Sequence, residues 1–573
     1  MKWTLDDSRL VYGVGQKDLH FLDINREGEL CIALGRHRTT LAQVIQQVVA
    51  KTPQKGSTRS SSFTLRVPQL VSSQMTKVLT AFGEAIKEER YQGGFRAVYP
   101  LKANATRQVV RQVLTSSSMY GLEVGTKAEL ALALDGLLDD RQRLLVCNGV
   151  KDEEYLDIVR KAILDGYRIW VSIESPNEAK MSLERLPREK LELALRVKPY
   201  VVVQGHWSSA AGRNAKFGLA VHDLIEVLEL LKANHAESSV VAIHAHPGSQ
   251  LSGNISAFAE FVARVSLYLR DTGFSRLTTV DVGGGIPINY DGHLESDTTR
   301  SYAHSVVKAI AHVVGNAHPH PIIMSEAGRV VTALHALLVI RILETRRLFP
   351  TPLRGEAEAS DLVKQVGLEV ERAADQRTIL QAWQHWLNLT PGHKEVDDLL
   401  RYERLSGVLK VRLRHKLVRS VDYENRLNNS LAQDLMRPEY ILVGDFAVFN
   451  GAIDHVLVDQ YFPVLPIDHL HESPATLVRL VDITGDSDGE ISVYSPPISG
   501  RRLFTQDEFP LTTNRRQQWS GFPIGSLDTI AGSYVVIALV GAYQDAIRMD
   551  ANLVGALPNV ELHVSDQGRW TIR

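Results

Sequence analysis

Cysteine is nearly absent: only Cys31 and Cys147 occur in 573 residues. Two cysteines cannot staple a chain of this size, which excludes a disulfide-framework secreted protein and fits a reducing cytoplasm. No charge of one sign dominates either, since 64 Lys and Arg face 66 Asp and Glu for a formal net charge of -2. A chain so balanced has no global field to hold nucleic acid or an anionic membrane surface, although a small charged metabolite remains a possible ligand. Long apolar runs are missing too. No stretch approaches the roughly 18–20 residues needed to span a bilayer, and the start MKWTLDDSRL lacks the basic-then-apolar pattern of a signal peptide. The expectation is a cytoplasmic protein that engages neither nucleic acid nor membrane.

What is present is an ordinary globular composition, 44% hydrophobic and 23% charged, in a chain long enough for two or three folded units. Between about residues 95 and 330, short apolar runs alternate with helix-patterned segments. The runs are FRAVYPLK, GLEV, LLVC, RIWVSIE, LALRVK, VVAIHAH, TTVDVGGG and PIIMSE. Eight β-α units in this length predict a (β/α)8 barrel, whose reactive groups collect at the C-terminal strand ends. Lys102, Glu123, Asn148, Glu174, Lys198, His246, Asp281 and Glu326 all fall at or just past those ends.

From about 355 to 435, charged segments with Leu-spaced apolar positions predict amphipathic helices. After 438, strand-like runs return (YILVGDFAVF, HVLVDQYFPVL, TLVRLVDIT, GEISVY, SYVVIALV), punctuated by Pro and Gly. The expected division is 1–90 as an N-terminal segment contributing strands to a β domain, 91–345 as the barrel, 346–437 as a helical insertion, and 438–573 as a C-terminal β-sandwich or β-barrel domain. SFTLRVPQL, ahead of the barrel, supplies a candidate strand.

The chemistry-bearing candidates each have a bland counterpart. Lys102 in YPLKAN could hold an aldehyde as a Schiff base from the barrel mouth, or be a solvated strand-end lysine. Gly283, Gly284 and Gly285 leave backbone N–H groups open to a phosphate, or form a tight turn. Arg329 in SEAGR adds a cation to that phosphate, or a surface salt bridge. Glu326 suits a pyridine nitrogen, and His246 in HAHPGSQ suits the ring face, with Ser249 near the phosphate; a satisfied core histidine is the alternative. Asp486 and Asp488, two apart in DITGDSDGE, can face one guanidinium or sit in a polar turn. A calcium loop is disfavoured, because the longer D-x-D-x-D-G spacing and its distal glutamate are absent.

YPLKAN, GLEVGTKAEL, CNGVKDEEY, HPGSQ, DVGGG, SEAGR, DITGDSDG and GAYQ stand in the order found in biosynthetic arginine decarboxylases. The chain resembles that family over nearly its whole length, and shares its barrel core with ornithine and diaminopimelate decarboxylases. The resemblance implies a fold-type III enzyme using pyridoxal 5'-phosphate (PLP), with Mg2+ as a further candidate, that converts L-arginine or a close guanidino amino acid to agmatine and CO2. It implies that Lys102 carries the cofactor, His246 stacks on its ring and Glu326 meets its nitrogen. Glu123 joins the cofactor site, and Ser249, Gly284, Gly285, Arg329 and Tyr543 form the phosphate cradle. Asp454, in FNGAID, and Asp486 and Asp488 lie at or near the guanidinium, and a homodimer builds the active site across its interface. One departure stands out. Relatives carry cysteine where this chain has Gly485, and that cysteine is the expected acid for the α-carbon after CO2 leaves. Leu334 and Ala551 replace further expected histidines. These losses motivate two readings: altered product partitioning, or a catalytically weak homologue that binds PLP or arginine in a regulatory role.

Overall fold

The computed structural model describes residues 3–51, 61–204, 214–291, 294, 297–316, 318–350, 372–373, 375–389, 396–419, 430–474, 476–494, 519–565 and 567–573. Eight parallel strands close into a barrel: Phe95–Pro100, Tyr120–Val124, Leu145–Cys147, Ile169–Ile173, Leu193–Arg196, Val240–His244, Thr279–Asp281 and Ile322–Ser325. Each run read from the sequence supplies one strand, in order. The seam is closed by the eighth strand on the first, with Met324 opposite Arg96.

Strand periodicity arranges the interior. Val98, Val146, Trp170, Ala194, Ala242 and Met324 form a buried apolar cluster separate from the main core. Two residues further along the same strands, on the same face, stand Asn148, Ser172, Arg196, His244 and Glu326. The barrel is therefore plugged by apolar side chains below and lined by polar ones above. The turns that follow the strands are fixed by helix caps. Thr126 accepts from the N–H of Glu129, while Glu129 Oε2 accepts from the N–H of Gly125 at 2.6 Å. Ser175 caps Glu178 in the same way, and Glu178 returns bonds to the N–H groups of Glu174 and Lys151.

The eighth strand leads through a helical turn at Arg329–Thr332 into the 12-residue strand Ala336–Arg347. This long strand organises a second, ten-stranded sheet. It pairs antiparallel with Phe63–Arg66, Tyr534–Ile537 and Tyr440–Gly444. Asn559–Val564 continues the sheet beyond Phe63–Arg66, and Thr476–Val481 continues it beyond Tyr440–Gly444. Residues 22–40 form a small three-stranded sheet of their own.

Helices Gln376–Asn388 and Val396–Arg419 bury Trp383, Trp386, Leu405, Leu409, Leu413 and Leu417 in a separate core, within the stretch expected to form a helical insertion. The parts of that reading at 351–371, 374, 390–395 and 420–429 lie outside the described residues. Two runs read as strands differ in the structure. YILVGDFAVF is a strand only to Gly444 and turns into helix Val448–Gly451, because Asp482 accepts from the N–H of Val448 at 2.8 Å and caps it. HVLVDQYFPVL splits into helix Asp454–Val458 and strand Val464–Pro466, with Asp459 in the left-handed conformation at the break. Among the described residues no helix is long and apolar enough to cross a membrane.

Candidate active site at the barrel mouth

Lys102 follows the first strand on a single 3-10 turn, and its side chain is 44% exposed. Its Nζ lies 3.1 Å from Oε2 of Glu123, which is buried at the end of the second strand. Burial alone would lower the lysine pKa, but Glu123 and then Glu326 outweigh it and hold the amine above its ordinary value. Burial pushes the Glu123 carboxyl up, against the pull of Lys102. Asn148 Nδ2 donates to Glu123 Oε1 at 3.0 Å and to Glu326 Oε1 at 2.8 Å, so one amide fixes both carboxylates. Glu326 Oε2 is buried and has no donor among the described residues, and His244 Nε2 stands 3.6 Å away.

His244, Asp281 and Glu326 bring ligand atoms within 4.8 Å of one another. Burial, then the neighbouring Glu326, drives the Asp281 carboxyl well above the usual range. Burial drives His244 and His246 well below theirs, Arg196 adding to the effect on His244 and Lys102 to that on His246. Both imidazoles are neutral near pH 7.

The glycine triplet is stapled to the strands beside it. Gly283 O accepts from the N–H of Glu326 at 2.8 Å, and Gly285 O accepts from that of Leu251 at 3.0 Å. Gly285 has φ +107, and a Cβ there would come within 2.5 Å of Leu251. Only glycine fits. Among the described residues the N–H groups of Gly284 and Gly285 donate to no partner.

Arg329 enters from the turn after the eighth strand. Its Nη1 donates to the Tyr290 hydroxyl at 3.1 Å and stands 3.7 Å from Asp454 Oδ2, and Nε reaches Ser249 Oγ at 3.4 Å. The guanidinium lies 4.6 Å from the centre of the Tyr543 ring. Tyr543 arrives from the second sheet in a left-handed conformation, φ 69, and its N–H donates to the Ala103 carbonyl at 2.6 Å, beside Lys102.

These contacts bring together Lys102, Glu123 and Glu326 at one end, with His246 beside the glycine triplet, and Ser249, Arg329, Tyr543 and Asp454 at the other. Asp486 and Asp488 are not joined to them. Both are exposed, and the N–H of Asp488 donates to Asp486 Oδ1 within their own turn. Gly485, on the same turn, donates its N–H to Asn552 Oδ1 at 2.9 Å. The sequence pattern placed Asn148 and Asp281 at reactive strand ends without a specific role, and did not single out His244, Arg196 or Tyr290. The signal for the first four was available: they share the inward face with Glu326, and His244 and His246 stand two apart in AIHAH. Tyr290 carried no such signal, because it sits in a loop.

The groups present fit a pyridine ring with an aldehyde and an anionic tail. Lys102 offers the amine and Glu326 an undonated buried oxygen, while two free N–H groups, a hydroxyl and a buried guanidinium supply donors for a phosphate. Residues 75–333 match the family described as pyridoxal-dependent decarboxylase, pyridoxal binding domain. The biosynthetic arginine decarboxylase of Bacteroides thetaiotaomicron is 28% identical over 99% of this chain and 89% of that protein. That of Aeromonas hydrophila is 29% identical over 100% of this chain and 90% of its own length. Among solved structures, biosynthetic arginine decarboxylase from Campylobacter jejuni superposes with a TM-score of 0.74 at 24% identity, covering 99% of this chain and 88% of that one. A diaminopimelate decarboxylase from M. jannaschii, in complex with L-lysine, gives 0.62 at 15% identity, with 97% and 95% covered. Barrel, second sheet and full-length likeness agree: residues 75–333 match a pyridoxal-dependent decarboxylase domain, and the chain is similar over nearly its whole length to biosynthetic arginine decarboxylases.

Proposed function

We propose that the protein decarboxylates L-arginine to agmatine and CO2 with PLP held on Lys102. The observation that carries this is a lysine amine 3.1 Å from a buried glutamate, in a barrel mouth where a second buried glutamate keeps an oxygen without a donor. When bound, PLP supplies an aldehyde for the substrate amine and an aromatic ring that accepts charge from the α-carbon. Lys102 Nζ would hold the cofactor, and Glu123 stabilises the proton on that nitrogen while the amine is free. Glu326, fixed by Asn148, accepts from the protonated ring nitrogen, and His246, neutral, covers the ring face. Ser249, Gly284, Gly285, Arg329 and Tyr543 hold the phosphate. We assign the His244, Asp281 and Glu326 cluster to the ring nitrogen and not to a metal. Mg2+ enters this reading only by family resemblance.

Asp454, already beside Arg329, lies at the far side of the site, where a substrate guanidinium is expected. Asp486 and Asp488 supply their charges from an exposed turn, which supports a homodimer in which each chain completes the other's site. The domain limits of 91–345 and 438–573 belong to the same reading, as does a cytoplasmic location. With Gly485 in place of an acid, water or another group protonates the α-carbon. The test is borohydride reduction of the PLP-loaded protein followed by peptide mapping, together with CO2 release from carboxyl-labelled arginine. The expected result is pyridoxyl label on Lys102 and release of CO2 with agmatine among the products. An unlabelled Lys102, or no CO2, overturns the reading.

A further inference from the structure

One buried cation touches two of the segments that carry candidate cofactor-site residues and is linked to a third through its carboxylate partner. Arg66, on the strand Phe63–Arg66, is buried and donates from Nη2 to both carboxylate oxygens of Asp545, at 2.9 and 2.8 Å. Its Nε donates to Asn559 Oδ1 at 2.8 Å, and its Nη1 lies 3.1 Å from His335 Nε2. His335 Nδ1 is 2.6 Å from the carbonyl of Thr332. Burial, then Arg66, pushes the histidine down to about 4. It is therefore the neutral tautomer with hydrogen on Nδ1, donating to Thr332 and accepting from Arg66. Thr332 ends the helical turn that begins at Arg329.

Asp545 makes the other connection. Its Oδ2 also accepts from Asn104 Nδ2 at 2.8 Å, and that same amide nitrogen donates to the Gly541 carbonyl at 3.0 Å. Asn104 is fully buried, two residues past Lys102, and Tyr543 stands between Gly541 and Asp545. The bond from Tyr543 N–H to Ala103 O closes the ring. A lysine-bearing loop, an arginine-bearing turn and a tyrosine in a left-handed conformation are thus tied to one guanidinium–carboxylate pair.

We propose that Arg66 and Asp545 are positioning residues of the cofactor site, setting the distance between the Lys102 loop and the phosphate-binding Arg329 and Tyr543. This rests on the reading of those residues as the PLP cradle. The carboxylate makes the pair specific: both oxygens of Asp545 accept from Arg66 Nη2 and one also accepts from Asn104, whereas an amide at 545 has a single acceptor oxygen. Positioning predicts an effect on the phosphate end of the ligand alone. Pyridoxal, which lacks the phosphate, reports on Lys102 and the ring pocket, and PLP reports on all of it.

The experiment measures dissociation constants of PLP and of pyridoxal, by imine absorbance, for the wild-type apoprotein and for Asp545→Asn and Asn104→Ala. Circular dichroism and Tm establish that each variant is folded. Asn104→Ala cuts the link to the lysine loop and leaves the Arg66–Asp545 pair intact, so it decides the matter if Asp545→Asn does not fold. The expected result is a loss of about tenfold or more in the preference for PLP over pyridoxal, with pyridoxal affinity within about twofold of wild type. Equal weakening of both ligands, or an unchanged preference in a folded variant, overturns the proposal while leaving the cofactor reading in place. A wild-type protein that takes neither aldehyde on Lys102 brings both down together.

Discussion

Glu123→Gln isolates the electrostatic control of Lys102. At 3.1 Å, two unit charges in an effective dielectric of about 20 attract by about 5 kcal/mol. The lysine side chain is 44% exposed, and water screening reduces the retained share to about 1–3 kcal/mol. That energy favours the protonated amine, which cannot attack an aldehyde. Removing the carboxylate therefore raises the neutral fraction at fixed pH by about 5- to 150-fold. The assay mixes apoprotein with PLP in a stopped-flow instrument between pH 6.5 and 9.5 and follows imine absorbance. Wild type should load faster with each rise in pH across the whole window, because its amine titrates above the ordinary lysine value. The variant should load faster at every pH, with its profile moved toward acid. A loading rate within twofold of wild type, or an unmoved profile, refutes the assignment of Glu123 as the dominant partner. The linkage sign gives a second check: a lysine raised on folding stabilises the protein below its unfolded pKa, and that contribution is lost as pH rises through the folded value.

Three further outcomes are expected. Gly485→Cys should raise agmatine yield relative to aldehyde or pyridoxamine phosphate, read by product chromatography; among the described residues a Cβ there meets only Asn552 Oδ1, at 3.8 Å, an ordinary contact. His244 and His246, held below their ordinary pKa by burial, make the unfolded chain the better proton acceptor below about pH 6.5, so the Tm of the apoprotein should fall as pH drops from 6.5 to 5. His244→Asn and His246→Asn should each flatten that slope. Arg414→Ala, which leaves the buried Glu439 without its partner, should cost about 3–5 kcal/mol in denaturant unfolding, while the double variant Arg414→Met with Glu439→Gln should recover most of it.

The barrel was legible because a parallel strand buried on both faces is a short apolar run, and because the capping residues Thr126, Asp152 and Ser175 mark where the next helix begins. The inward row was legible in part: Glu123, His246 and Glu326 came from strand ends, yet Asn148 bridging two carboxylates is a statement about three strands at once. The misread segment HVLVDQYFPVL shows the limit of local pattern. Its β-rich composition is overridden by tertiary partners, Asp454 donating its N–H to Gln544 Oε1 from 90 positions away. Arg66 and Asp545 are separated by 479 positions, and nothing local to either announces the other.

The placement of Tyr543 has a consequence for biogenesis. A nascent chain that has emerged through Glu326 holds every strand of the barrel, so that unit can close while synthesis continues. The tyrosine arrives some two hundred residues later, when the strand at Tyr534–Ile537 zips onto Ala336–Arg347 and brings its N–H to Ala103 O. On the proposed reading of Tyr543 as part of the phosphate cradle, a polypeptide terminated before it would bind the cofactor more weakly even with its barrel closed.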